Sequence, residues 1–170
     1  MKQEPKHYAG FVAMVGRPNV GKSTLTNSLI GEKIAIMSDR PQTTRNRIMC
    51  IMNTDNAQIM FLDTPGIHKP QHKLGEYMVR TAEGTLQEVD VILFIVDVTE
   101  KRGAGEEYIL GLLRKVKTPV ILVCNKIDKL QDKSKLFKIM EDYSKQYNFA
   151  AIVPVSALND GEFPGLVQEI

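Results

Sequence analysis

Net charge is nearly absent from this chain. Across 170 residues, 22 Lys and Arg stand against 20 Asp and Glu, leaving +2. So small an imbalance gives no bulk electrostatic argument for a nucleic-acid or membrane partner. Cysteine is scarce too. Cys50 and Cys124 sit inside the apolar stretches IMCIM and ILVCN. They read as two reduced, buried thiols of a cytoplasmic protein, not as a disulfide framework. No apolar run reaches the roughly 20 residues that cross a bilayer. Residues 1–8, MKQEPKHY, lack the apolar segment of a secretory signal. Internal repeats and low-complexity tracts are missing. What remains is ordinary: 43% hydrophobic and 25% charged residues suit one soluble globular domain. A chain of this size buries about two thirds of its unfolded surface and needs no staples.

Apolar runs alternate with helix-like stretches. Strands are expected near 10–16, 47–53, 57–62, 91–97, 119–124 and 151–155. Helices fit near 22–31, 75–88, 104–116, 132–147 and from about 163 to the end. The turn residues Thr54, Asp55 and Asn56 predict an antiparallel hairpin between 47–53 and 57–62. The other strands alternate with helices, which calls for parallel crossovers. Strands 91–97 and 119–124 are apolar without alternation, as strands covered on both faces are. The expected fold is α/β in three layers, with a mostly parallel six-stranded sheet, one antiparallel edge strand and about five helices. The last helix has barely begun at Leu166 when the sequence stops at Ile170. One domain spanning 1–170, cut from a longer protein, is the expectation.

Three motifs occur in a telling order. GlyArgProAsnValGlyLysSer occupies 16–23, AspThrProGly 63–66 and AsnLysIleAsp 125–128. A chance match to the first pattern has odds of roughly one in 200 in a chain this long, and the third adds a factor of roughly one in 50. The first follows a predicted strand and opens a predicted helix, the context a phosphate loop needs. Gly16 and Gly21 let backbone N–H groups turn inward around a β-phosphate, with Asn19 and Val20 in the same wrap. The helix N-terminus beyond adds its dipole. Lys22 is placed to bridge β- and γ-phosphate oxygens, Ser23 to offer a hydroxyl to Mg²⁺, and Thr24 to meet the α-phosphate. Asp63 ends a strand at the carboxyl edge, where ligands bind open α/β sheets. It is expected to hold Mg²⁺ through a water, and the Gly66 N–H to sense the γ-phosphate.

AsnLysIleAsp suits guanine. That base presents N1–H and a 2-amino group side by side, and the Asp128 carboxylate can accept both. Adenine offers an acceptor at N1 and no 2-amino group. Asn125 is expected to tie this loop to the phosphate loop, and the Lys126 stem to cover the base. Ser156, Ala157 and Leu158 follow the last strand, where the Ala157 N–H can meet guanine O6. Between them lies SerAspArgProGlnThrThrArg at 38–45. One of its threonine hydroxyls should complete the Mg²⁺ shell; we choose Thr44, with Thr43 as the alternative. This loop and 66–75 would be switches ordered by the γ-phosphate. Lys22, Thr44 and Gly66 are the residues expected to act on the reacting phosphoryl group.

Other features carry less. His68 and His72 have i, i+4 spacing, but Pro70 intervenes and no Cys or carboxylate completes a shell. Glu106 and Glu107 are adjacent, so they diverge on a helix and do not form a catalytic pair. Lys129, Lys133, Lys135 and Lys138 mark a solvated face.

The stretches GRPNVGKSTLTNSLIGEKIAIMS, PQTTRNRI, DTPGIHKP and NKID together resemble the translation-factor-type GTPases of the TrmE–Era branch, and within it the Era family. The resemblance covers nearly all of 8–158. The ProGlnThrThrArg stretch favours it over the Der family, which has two tandem G domains; the G domain of a Der-like GTPase is the alternative. The resemblance implies a GTP- and GDP-binding switch that hydrolyses GTP, with Mg²⁺ as cofactor. It also implies a following KH domain, absent from this sequence, that binds the 3′ end of 16S rRNA during assembly of the 30S ribosomal subunit. A monomer is expected, in the cytoplasm, with peripheral association at the inner face of the cell membrane as a variant. Ras-like enzymes orient water with a Gln after the Gly of the second motif. Here Ile67 stands there, so intrinsic turnover should be slow. In several members of the branch an Asn of the phosphate loop binds K⁺, and Asn19 matches it; a purely loop-shaping Asn19 is the alternative. Two other functions compete with a GTPase: a nucleotide-binding module with negligible turnover until a partner completes it, and a P-loop kinase. AsnLysIleAsp and the lack of an arginine-rich lid argue against the kinase.

Overall fold

The computed structural model of this chain describes residues 7–30, 47–64, 83–161 and 163–170. Its strands are β1 (Tyr8–Val15), β2 (Arg47–Asn53), β3 (Ala57–Asp63), β4 (Val91–Asp97), β5 (Val120–Asn125) and β6 (Ala151–Pro154). They form one sheet in the order β2-β3-β1-β4-β5-β6. The helices are α1 (Lys22–Ile30), α2 (residues 83–88 among those described), α3 (Ala104–Leu113), α4 (Ser134–Gln146) and α5 (Pro164–Glu169). A 3-10 turn covers Ile127–Lys129.

The expected hairpin is present. β2 pairs antiparallel with β3 at the sheet edge, and all other pairings are parallel. Its turn is held by Thr54, whose N–H donates to the Ala57 carbonyl at 2.7 Å while its Oγ1 accepts from the Ala57 N–H at 2.9 Å. Strand alternation sends successive side chains to opposite faces. Ala13, Val15, Ile92, Phe94, Val96, Leu122 and Cys124 pack with α2, α3 and α4. Val12, Met14, Leu93, Ile95, Ile121 and Val123 pack with α1 and α5. Both faces of β4 and β5 are therefore buried, which is why neither shows polar alternation.

Some boundaries differ from the sequence expectation. α3 ends at Leu113, not 116, because the chain tightens: Lys115 N–H donates to Leu112 O and Val116 N–H to Leu113 O. Such i→i+3 bonds satisfy carbonyls at a helix end. β6 stops at Pro154, although the Val155 N–H still reaches Cys124 O at 2.9 Å.

Candidate nucleotide-binding site

The sheet order sets the site. β1 lies between β3 and β4, so the chain leaves it toward one side and returns on the other, and ligands bind at such reversals. The loop 16–21 leaves β1 and enters α1 at Lys22. Three of its residues have positive φ: Gly16, Asn19 at 64° and Gly21 at 103°. Glycine is required at both ends by close approach. A Cβ on Gly16 would stand 2.5 Å from the Ile95 carbonyl, and one on Gly21 2.2 Å from Asn125 Nδ2. Val20 is buried and pins the loop to the core. The Lys22 ammonium folds back to donate to the Gly16 and Arg17 carbonyls at 2.6 and 2.7 Å. Ser23 and Thr24 are exposed in the first turn of α1.

The second motif is anchored beside it. Register pairs Met14 of β1 with Asp63 of β3, and Thr64 Oγ1 donates to Met14 O at 2.8 Å. Only the backbone position of Asp63 is described. Thr43, Thr44, Gly66, Ile67, His68 and His72 lie outside the described residues.

The third motif converges on the first. Asn125 ends β5, 2% exposed. Its Nδ2 donates to Val20 O at 2.8 Å, while its Oδ1 accepts from the Lys126 N–H at 2.7 Å and from the Ala157 N–H at 2.9 Å. One side chain thus binds the loop 16–21, the loop after β5 and the loop after β6. The expectation that Asn125 ties two loops is met, and a third is added. The Ala157 amide, expected to face guanine O6, spends its hydrogen on Asn125. Lys126 has left-handed backbone, φ 68°. Its Nζ donates to Asn19 O at 2.7 Å and to Asp97 Oδ2 at 2.5 Å. Asp128 is exposed, and its Oδ1 accepts from Ser156 Oγ at 2.6 Å, which orients the carboxylate. Gly21, Thr24, Asn125, Lys126, Asp128, Lys129, Ala157 and Leu158 line one cleft of about 120 Å³.

Several contributors escaped the sequence reading. Asp160 accepts the Ser156 N–H at 2.6 Å and so shapes the loop after β6. Arg17 pairs with Glu100 and with Glu106, which is 3% exposed. Glu106 also caps α3 by accepting the Gly103 N–H at 3.0 Å, while Glu107 turns outward to Arg102 at 2.7 Å. The two neighbours diverge as expected, but the inner one ties the phosphate loop to α3. Asp97 was missed as well. Burial alone would raise its pKa, yet bonds from Lys126 and Thr99 hold it below the ordinary carboxylate value. Its stabilising contribution is therefore complete above the ordinary carboxylate value and fades as pH falls through the lowered one. The available signal was a lone carboxylate closing an otherwise apolar strand, VILFIVD.

Residues 11–126 match the family model described as 50S ribosome-binding GTPase. The chain belongs to that GTPase family. Among relatives, it is 59% identical over 153 residues to GTPase Era of Staphylococcus haemolyticus, covering 90% of this chain and 51% of that protein. Two solved structures of Era are each 43% identical to it. One, from Aquifex aeolicus, is a variant bound to GDP and AlF4⁻, with TM-score 0.75, covering 94% of this chain and 55% of that one. The other is in complex with MgGDPNP and nucleotides 1506–1542 of 16S ribosomal RNA, with TM-score 0.77, covering 95% and 55%. This member of the GTPase family thus spans about half the length of those relatives. The G domain of the Thermotoga maritima FeoB iron transporter, 23% identical with TM-score 0.67, shares the fold over 95% of this chain and 96% of its own.

Proposed function

We propose that this chain binds GTP and hydrolyses it to GDP and phosphate, as the switch domain of an Era-type protein acting in assembly of the small ribosomal subunit. One observation carries the nucleotide reading: the buried Asn125 amide, which joins three loops that serve phosphate and base. The wider role is supported by the likeness to Era and by the 16S ribosomal RNA bound in one similar structure. We place the protein in the cytoplasm, a reading supported by two free, buried cysteines.

Within the site, Lys22 and the N–H groups of 16–21 neutralise charge on the phosphoryl oxygens as water attacks in line. Asp128, aimed by Ser156, accepts the two guanine donors. A magnesium ion fits the donor set. Ser23 is exposed in the first turn of α1, and Asp63 ends the strand adjoining β1. Oxygen-only ligands of this kind suit Mg²⁺. Ser23, Asp63 and Thr44 would hold it, and when bound it neutralises phosphate charge. The Ile67 side chain gives no hydrogen bond to water, so unassisted turnover should be slow; Asn19 would be the residue to hold K⁺, which would supply positive charge there.

Phosphate release from GTP, measured in KCl and in NaCl, tests this. Turnover faster in KCl is expected; none in either salt would leave a binding module. Asp128→Asn should weaken GTP by up to roughly 10⁴-fold and admit xanthosine triphosphate, which carries oxygen at C2. Unchanged GTP affinity would remove Asp128 from the base site.

A further inference from the structure

Asp97 is a buried carboxylate that none of the three motifs contains. It closes β4 and is 6% exposed. Sheet register pairs it directly with Asn125. The next residue, Lys126, adopts left-handed backbone, and its ammonium returns to Asp97 Oδ2. The carboxylate is itself held, because Oδ1 accepts the Thr99 N–H at 2.9 Å and the Thr99 hydroxyl at 2.6 Å. Lys126 is thereby fixed at both ends. Its backbone is held by Asn125 and its ammonium by Asp97 and the Asn19 carbonyl. Lys126 lines the cleft read above as the guanine site, and its four-carbon stem runs between these two anchors.

We propose that Asp97 is a positioning residue for nucleotide retention: it holds the Lys126 ammonium between β4 and the Asn19 carbonyl, so that the lysine stem forms a preset wall for the base. This rests on the guanine-site reading given above. A free lysine side chain has many rotamers, and ordering it on binding costs affinity. Asp97 meets that cost during folding. The role needs charge at 97 and the ammonium at 126 together. A merely structural carboxylate, holding only the Thr99 turn, would act independently of Lys126.

A double-mutant cycle on the 170-residue chain separates the two. The readout is release of a fluorescent N-methylanthraniloyl GDP, chased by excess GDP. Asp97→Asn is expected to speed release roughly three- to tenfold. In a Lys126→Met background the same change should have less than about a twofold effect. Asp97→Glu, which keeps the charge, should lie closer to wild type than Asp97→Asn does. Equal acceleration in both backgrounds, or no acceleration, would overturn the proposal. Should Asp97→Asn fail to fold, Thr99→Val loosens the same carboxylate with both charges in place. It is expected to speed release only when Lys126 is present, and the opposite result is again fatal. Failure of the wild-type chain to bind the fluorescent GDP would sink the guanine reading itself, and this inference with it.

Discussion

A methyl group on Gly21 would collide with Asn125 Nδ2 at 2.2 Å, at a φ of 103° that side chains rarely adopt. Gly21→Ala should therefore cost about 1–3 kcal/mol in stability, read by urea unfolding, and should abolish measurable GDP binding by calorimetry. Retained affinity would show that Asn125 is dispensable to the loop. The glycines were legible because close backbone approach calls for them within a short contiguous run, where a lysine expected at phosphate also stands. The partners of Asp97, Arg17 and Asp160 were not legible. Asp97 meets Lys126 across 29 positions of sequence, and only sheet register brings them level. Arg17 reads as a spacer in the phosphate motif until Glu106 is found beneath it.

At the scale of elements, the N-terminus of α3 is a joint between helix and phosphate loop. Gly105 leaves room for it, since a Cβ there would stand 2.5 Å from Arg17 Cδ. Burial opposes the Arg17 charge, but Glu100 and Glu106 outweigh it and raise its pKa above the ordinary value. Glu106→Gln sets an amide nitrogen against either Arg17 or the Gly103 N–H, both donors. A loss of about 1.5–3 kcal/mol is expected, measured as a lower urea midpoint. An unchanged midpoint would mean that the cap and ion pair contribute nothing net. The strands were readable from their apolar runs, which burial on both faces demands. The end of α3 was not, because its apolar pattern runs on through Val116 while the backbone has already tightened. Hydrophobic period reports which face is buried, and it is blind to the bond that closes a helix.

For the molecule as a whole, the two thiols report on integrity. Cys50 and Cys124 are each 0% exposed, in the two opposite core layers. Burial pushes them up to about 11 and about 12, respectively. At pH 8 neither should react with a thiol reagent until the chain opens, and GDP at 100 times its Kd should slow any reaction that needs global opening roughly 100-fold. Rapid native labelling of both, insensitive to GDP, would contradict the packing described. Nucleotide protection of this kind follows from the way Asn125 is employed. A single amide serves three separate turns, so each of them, whatever other bonds hold it, shares one fastening with the other two. If this is the nucleotide site proposed above, exchange of spent ligand for fresh would be eased by whatever frees that amide, and an agent that pries at one turn would disturb its neighbours too.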